Sequence, residues 1–242
     1  MSGKGLQLVT PKWSAPETVR AFSTTRFGGE SLPPYDSLNL GLHVGDDPQH
    51  VRGNRQKLPL PAQPTWLQQV HGKYVVELNH NDSCTLIADA SYSSTPGVVC
   101  AIMTADCLPI LLCNKQGTFV AAIHAGWRGL QQGIIASTVA RYRGDVSELM
   151  LWVGPGISQD KFEVGEDVKK AFPSFSEAFI TATTPDKYFA DLPAIASQQA
   201  QNCGIEHVST AQLCTFSQPE RFFSYRRDGK TGRMGTFIWI VK

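Results

Sequence analysis

The chain has 242 residues, 42% of them apolar and 18% charged, with a formal net charge of +1. This describes an ordinary soluble globular protein with a substantial core, in one large domain or two small ones. The charge balance excludes a global field for nucleic acid or an acidic membrane, and no apolar run approaches the roughly 20 residues that span a bilayer.

From the amino terminus, Met1-Ser2-Gly3-Lys4-Gly5 leads into mixed polar residues rather than the apolar stretch of a secretory leader. A cytoplasmic location is therefore expected. Residues 29–65 are rich in Pro, Gly, Asn and Asp and read as a long irregular region with a short helix over 48–58. Residues 97–104, 107–113, 118–123 and 148–153 read as buried strands by length and β-branched content. Residues 127–142 carry Leu130, Ile134, Ile135, Thr138 and Val139 near helical spacing; 162–172 and 190–203 are further helices. The carboxyl-terminal end reads as a hairpin, with strands at Phe222–Arg227 and Met234–Val241 around a turn at 228–232. Strands and helices mix without strict alternation. That predicts an α+β fold, a mixed or antiparallel sheet with helices outside it. No repeat or linker divides the chain, so a single domain over 1–242 is expected.

Six cysteines without secretory features read as reduced thiols. Cys84, Cys100, Cys113, Cys203 and Cys214 form no Cys-x-x-Cys pair and are expected mostly as small buried hydrophobes. Cys107 is placed differently, between the apolar runs Val98–Thr104 and Leu108–Leu112. A second strand ends at His124, in His124-Ala125-Gly126-Trp127-Arg128-Gly129, where active sites of α/β proteins gather. His71 stands in Gln69-Val70-His71-Gly72. Two imidazoles and a thiolate are a donor set for zinc or copper with an open position. The spacing matches no compact zinc-finger pattern, however. A cysteine in an apolar strand is more often core filler, and a lone histidine more often hydrogen-bonded structure.

Asp89 and Asp106 lie in apolar stretches, where a carboxylate is either hydrogen-bonded structure or a general acid/base with a raised pKa. Glu163 is a weaker candidate. Arg26, beside Gly28 and Gly29, and Arg128, at the helix start after His124, are candidate oxyanion ligands. Arg226, Arg227 and Arg233 flank the carboxyl-terminal turn. Each of these arginines reads equally well as a surface ion-pair partner.

Taken together, Thr24-Thr25-Arg26-Phe27-Gly28-Gly29, Ser37-Leu38-Asn39-Leu40, Gln69-Val70-His71-Gly72, Ala88-Asp89-Ala90, Thr104-Ala105-Asp106-Cys107-Leu108-Pro109, His124-Ala125-Gly126-Trp127-Arg128-Gly129, Gly154-Pro155-Gly156-Ile157 and Phe223-Ser224-Tyr225-Arg226-Arg227-Asp228 closely resemble the bacterial YfiH, or laccase-domain, family. The resemblance runs over nearly the whole chain. It implies a four-layer α/β/β/α sandwich with mixed sheets and a zinc held by His71, Cys107 and His124, with copper as the alternative metal. The activity it implies is phosphorolysis of adenosine, inosine, guanosine and methylthioadenosine to base and ribose-1-phosphate, with deamination of adenosine. Cys107, Asp106 and Asp89 are the expected catalytic residues, and Arg26, Asn39, Arg128 and Arg226 the expected substrate-binding ones; a phosphate pocket made by Arg26, Arg128 and the helix start after His124 is inferred from the residues themselves and not from the resemblance. Purine nucleosides and phosphate are the expected partners, with no nucleic acid, membrane or obligate protein partner. Two further enzymatic readings stand beside this one. A copper-dependent polyphenol oxidase would use the same ligands with Met103 nearby, but six histidines and no His-x-His pair are too few for a four-copper route. A cysteine hydrolase editing a wrongly aminoacylated cell-wall precursor, UDP-MurNAc-L-Ser, would use Cys107 as nucleophile and His124 as base. A nucleotide-responsive binding protein without turnover ranks last.

Overall fold

The computed structural model of the chain describes residues 5–80 and 86–241. In chain order the elements are β1 (Leu8–Val9), β2 (Val19–Thr24), α1 (Pro48–Gln56), β3 (Val75–Glu77), β4 (Ala90–Ser93), β5 (Val99–Thr104), β6 (Leu108–Asn114), β7 (Val120–Ala125), α2 (Trp127–Gln131), α3 (Ile134–Val139), β8 (Leu149–Val153), β9 (Glu163–Gly165), α4 (Glu166–Lys170), β10 (Phe179–Thr181), β11 (Lys187–Ala190), α5 (Leu192–Asn202), β12 (His207–Thr210), α6 (Tyr225–Asp228) and β13 (Met234–Ile240). They form a six-stranded sheet, β12-β8-β6-β7-β4-β3, a four-stranded sheet, β1-β2-β13-β5, and a small β10-β11-β9 sheet. The large sheet is mixed, with parallel pairs at both edges; the four-stranded sheet is antiparallel throughout.

Side chains alternate across a strand, and here the alternation sorts them into layers. Leu108, Ile110 and Leu112 of β6 and Ala121, Ile123 and Ala125 of β7 face a core shared with α3 and α5. Leu111 and Cys113, with Val120 and Ala122, face the other way, onto Cys100 and Ile102 of β5 and Ile238 and Ile240 of β13. The outer face of the smaller sheet, Phe22, Val99, Ala101 and Phe237, is covered by Leu38, Leu40 and Leu58 around α1. These layers are the expected α/β/β/α sandwich. They explain why β5 to β8 read as unbroken apolar runs: strands covered on both faces have no wet side. His124 shares the parity of Val120 and Ala122, so its imidazole lies on the face turned toward the smaller sheet.

Local chemistry sets the helix starts. Asp47 accepts from the Gln49 amide before Pro48, and Asp191 from the Ala194 amide before α5. Three expectations are overturned. The helix over 127–142 is broken, because Gly133 at φ 82° sits between α2 and α3. The helix over 162–172 begins as β9, paired with β11, and turns helical only at Glu166. The carboxyl-terminal hairpin is absent. Phe222 and Phe223 are aromatic because they are buried against Met234, not because they pair in a ladder, and Ser224 then caps the single turn of α6. Cys100 and Cys113 are buried free thiols; Cys107, Cys203 and Cys214 are free and half-buried. Cys84 lies outside the described residues.

Candidate metal centre and its cavity

Cys107 sits in the turn between β5 and β6, and His124 near the end of β7. The pairing of β6 with β7, which sets Pro109 opposite His124, brings thiol and imidazole together. His71 arrives from a separate loop pinned by the Gln68–Ile87 bridge and by Gln69, whose amide side chain exchanges two hydrogen bonds with the Met103 backbone. The ligand atoms of His71, Cys107 and His124 all lie within 4.8 Å of one another, with His71 Nε2 3.8 Å from Cys107 Sγ. Tetrahedral bonds of about 2.0–2.3 Å need donors about 3.5 Å apart, so a modest contraction would complete the shell.

Asp89 organises two of the three ligands. Its fully buried carboxylate accepts from His124 Nδ1 at 2.8 Å, which leaves Nε2 for a metal. It also accepts the backbone amides of Val70, His71 and Gly72 at 3.2, 2.9 and 2.7 Å. Those amides hold His71 at φ 60°, a left-handed conformation that costs energy for a residue with a Cβ. Burial alone would raise the Asp89 pKa, but His124 and the Gly72 and His71 amides outweigh it and lower it. Asp89 is therefore an anionic acceptor with no spare proton.

Asp106, expected as a second proton carrier, is equally occupied. Thr215 Oγ1 donates to it at 2.6 Å, Ser224 Oγ at 3.0 Å and the Arg226 amide at 2.6 Å. It clasps the carboxyl-terminal segment to the turn that carries Cys107. Glu163 meets Arg226 through its backbone carbonyl, which accepts from the guanidinium at 2.7 Å.

Glycine is required beside the ligands. A Cβ on Gly126 would sit 2.9 Å from Cys107 Sγ and 3.1 Å from His71 Cδ2. Burial pushes the Cys107 thiol up, yet His124 and His71 override it and bring it down to about 6. Burial likewise disfavours a charged His124, but the Cys107 thiolate and Asp89 raise it to about 9. Cys100 and Cys113, with burial unopposed by any cation, stand at about 12.

The cluster opens on a cavity of about 1150 Å³ lined by His71, Cys107 and His124 together with Arg55, Arg128, Arg226 and Arg233. Aromatic walls come from Trp66, Trp127, Phe162 and Tyr225. Of the four expected substrate residues, Arg128 and Arg226 line the cavity and Arg26 and Asn39 do not. Arg26 is spent on the Asp36 and Pro219 carbonyls and the Asp36 carboxylate. Asn39 is fully buried and bridges the Gly41 and Arg233 amides to Asp46. The helix start after His124 is one short turn without a side-chain cap. Met103, the candidate axial sulfur, lines the cavity, and its Sδ lies 3.9 Å from Arg55 NH2. No motif or spacing in the sequence marks Arg55 or His43, and Arg233 reads there only as a flank of the terminal turn.

Sheet order, ligand cluster and cavity together define a two-sheet α/β/β/α protein with a His-Cys-His cluster opening on one cavity. The family model described as multi-copper polyphenol oxidoreductase laccase matches residues 20–241. The "Purine nucleoside phosphorylase YfiH" of Escherichia coli (strain K12) is 50% identical over 97% of this chain and 99% of its own length. The "Purine nucleoside phosphorylase PA4543" of Pseudomonas aeruginosa is 47% identical, over 96% and 98%. Among solved structures, the Neisseria meningitidis protein NMB0706 superposes with a TM-score of 0.92 at 45% identity, covering 97% of this chain and 99% of that one. The chain belongs to the YfiH family of laccase-domain proteins. Among the described residues, no helix is long and apolar enough to cross a membrane.

Proposed function

We propose that the chain is a metal-dependent purine nucleoside enzyme that cleaves adenosine, inosine, guanosine and methylthioadenosine with phosphate, and also deaminates adenosine. The observation that carries this reading is a His71-Cys107-His124 cluster opening into one cavity with four guanidiniums. Two imidazoles and a thiolate suit zinc. A bound ion would supply Lewis-acid charge and, for deamination, an activated water.

The chain's own groups do the remaining work. Asp89 fixes the His124 tautomer and the His71 backbone, so the ligands meet an ion already oriented. The aromatic walls offer flat apolar faces to a purine. The guanidiniums hold phosphate oxygens and favour the charge that develops as the glycosidic bond breaks. About 1150 Å³ admits a nucleoside and a phosphate together. Asp89 and Asp106 act as positioning residues in this scheme, one for the ligands and one for the Arg226 segment. Names of the Escherichia coli and Pseudomonas relatives support the substrate class.

The test is release of free base from nucleosides by zinc-loaded protein with and without phosphate, alongside Cys107→Ala. No release by the wild type under either condition would remove the reading. A second reading, the metal-free cysteine hydrolase, is favoured by the close approach of the Cys107 thiol and the His124 imidazole, whose ligand atoms lie within 4.8 Å. Turnover that survives chelation and is blocked by a covalent adduct on Cys107 would select it. Polyphenol oxidation by a four-copper route is disfavoured by a total of six histidines.

A further inference from the structure

The guanidiniums around the cavity are not equivalent. Arg128 is exposed and lies against its neighbour Trp127, 4.3 Å from the ring. Arg226 is also exposed and is drawn to the Glu163 carbonyl at 2.7 Å. Arg55 and Arg233 are half-buried and rigidly placed. Arg55 donates through Nε and NH2 to the Leu40 carbonyl at 3.0 and 2.7 Å and stacks on Trp66 with Cζ 3.7 Å from the ring centroid. Arg233 donates NH1 to the Thr231 and Gly232 carbonyls, while its own carbonyl accepts from the Leu40 amide. Its backbone amide is held by the buried Asn39. Leu40 therefore binds both residues, one through each of its backbone groups. One residue on, a Cβ at Gly41 would meet Arg233 Cγ at 2.9 Å and His43 Cε1 at 3.4 Å, so the imidazole closes the same corner at the rim.

Neither Arg55 nor Arg233 has a carboxylate partner among the described residues. Elsewhere Arg26, Lys57 and Arg227 are matched with Asp36, Glu30 and Asp228. A partly desolvated guanidinium without an ion-pair partner is costly: burial lowers the Arg233 pKa even though Cys107, Tyr225 and Asp106 draw it up, and the fixed orientation of both side chains costs entropy unless something is bound there. The charge pattern agrees: partial burial, then Arg233 and Arg55, hold His43 below its usual range, and burial brings Arg55 down to about 10. All three line the cavity that holds the ligand cluster.

We infer that Arg55, Arg233 and His43 form the phosphate-oxyanion seat of this cavity, on the wall built by Leu40 and Gly41, in place of the Arg26, Arg128 and helix-start seat expected from the sequence. The inference rests on the proposed nucleoside reading only for the identity of the anion, either inorganic phosphate as co-substrate or a phosphate carried by the substrate itself.

The experiment compares zinc-loaded, full-length wild type with Arg233→Gln, Arg55→Gln and Arg233→Lys. Binding of inorganic phosphate and, separately, of adenosine 5′-monophosphate against adenosine is titrated calorimetrically, and phosphorolysis of inosine is followed at varied phosphate. Zinc content and melting temperature report the fold. For inorganic phosphate, both Gln variants should raise its Kd and KM about tenfold or more, the loss expected for a charge-assisted contact. The KM for inosine should hold, zinc should be retained and Arg233→Lys should recover part of the loss. If instead only the nucleotide loses its advantage over adenosine, the seat stands and serves a substrate-borne phosphate. Folded, zinc-replete Gln variants with unchanged affinity for both anions overturn the seat. A wild type that binds phosphate through these residues but releases no base would sink the phosphorylase reading and leave the seat. Catalysis in the variants with an unchanged phosphate KM and an unchanged preference for the nucleotide over adenosine would do the reverse.

Discussion

On one side of the cavity, Cys107 and His124 stand at the ends of strands buried along their whole length, and Asp89 locks the third ligand's loop to them. On the other side, Arg55, Arg233 and His43 come from a helix, the residue just before β13 and a single 3-10 turn over Leu42–Val44, joined mainly through the backbone of Leu40 and Gly41. The first wall takes its precision from a packed core and a buried ion pair. The second takes its precision from carbonyl groups and an aromatic face, and its two arginines have no ion-pair partner among the described residues. Perturbing the first should cost metal; perturbing the second should cost anion affinity while metal stays.

The largest effect is expected from Cys107→Ala, which should lose bound zinc and all turnover while far-ultraviolet dichroism is unchanged; full zinc and activity in this variant would break the comparison at its base. Labelling reads the same wall without mutation. In metal-free protein at about pH 7.5, iodoacetamide should modify Cys107 readily, because a pKa of about 6 leaves it mostly thiolate, and should spare Cys100 and Cys113 at about 12. The lowered pKa makes the reactive form persist above about pH 6 and disappear below it. Zinc should protect Cys107 alone, as site-resolved mass spectrometry would show.

Gly126→Ala comes next. The backbone there, φ −76° and ψ 168°, suits any residue, so the damage is purely the crowding of Cys107 and His71. Competition with a chromophoric chelator should reveal a loss of zinc affinity at least as large as that of Asp89→Asn, which should cost about 10–100-fold as the partner of a ligating histidine. Arg128→Ala is expected to be the mildest. Its guanidinium is exposed against Trp127, so a few-fold rise in the phosphate KM is the most it should give; a larger change than Arg233→Gln would move the anion to the opposite wall.

The first wall is legible in the sequence and the second is not, for a physical reason. Strands β5 to β8 are apolar on both faces and announce themselves. His124 follows a strand and precedes a glycine turn, and the resemblance of eight segments to one family joins Cys107 to His71 across the chain. The second wall leaves no local trace. No motif or spacing marks Arg55, and it reaches the wall that carries Arg233 only through Leu40, whose carbonyl accepts from Arg55 and whose amide donates to the Arg233 carbonyl. Arg26 and Asn39 stand in segments as distinctive as any ligand, yet their side chains hold the framework: a family motif marks what is needed without saying whether for binding or for architecture. The misread elements fail similarly. Phe222 and Phe223 have the composition of a strand, and only tertiary burial against Met234 decides otherwise.

Asp89 has a consequence for how the centre is filled. Because a carboxylate of the fold itself orders the His124 ring and the His71 loop, an ion arrives at a finished socket and need not organise it. Loading speed is then governed by the approach, and the approach runs past guanidiniums that repel a divalent cation. An anion held by Arg55 and Arg233 would lower that barrier, so added phosphate should hasten the entry of the metal.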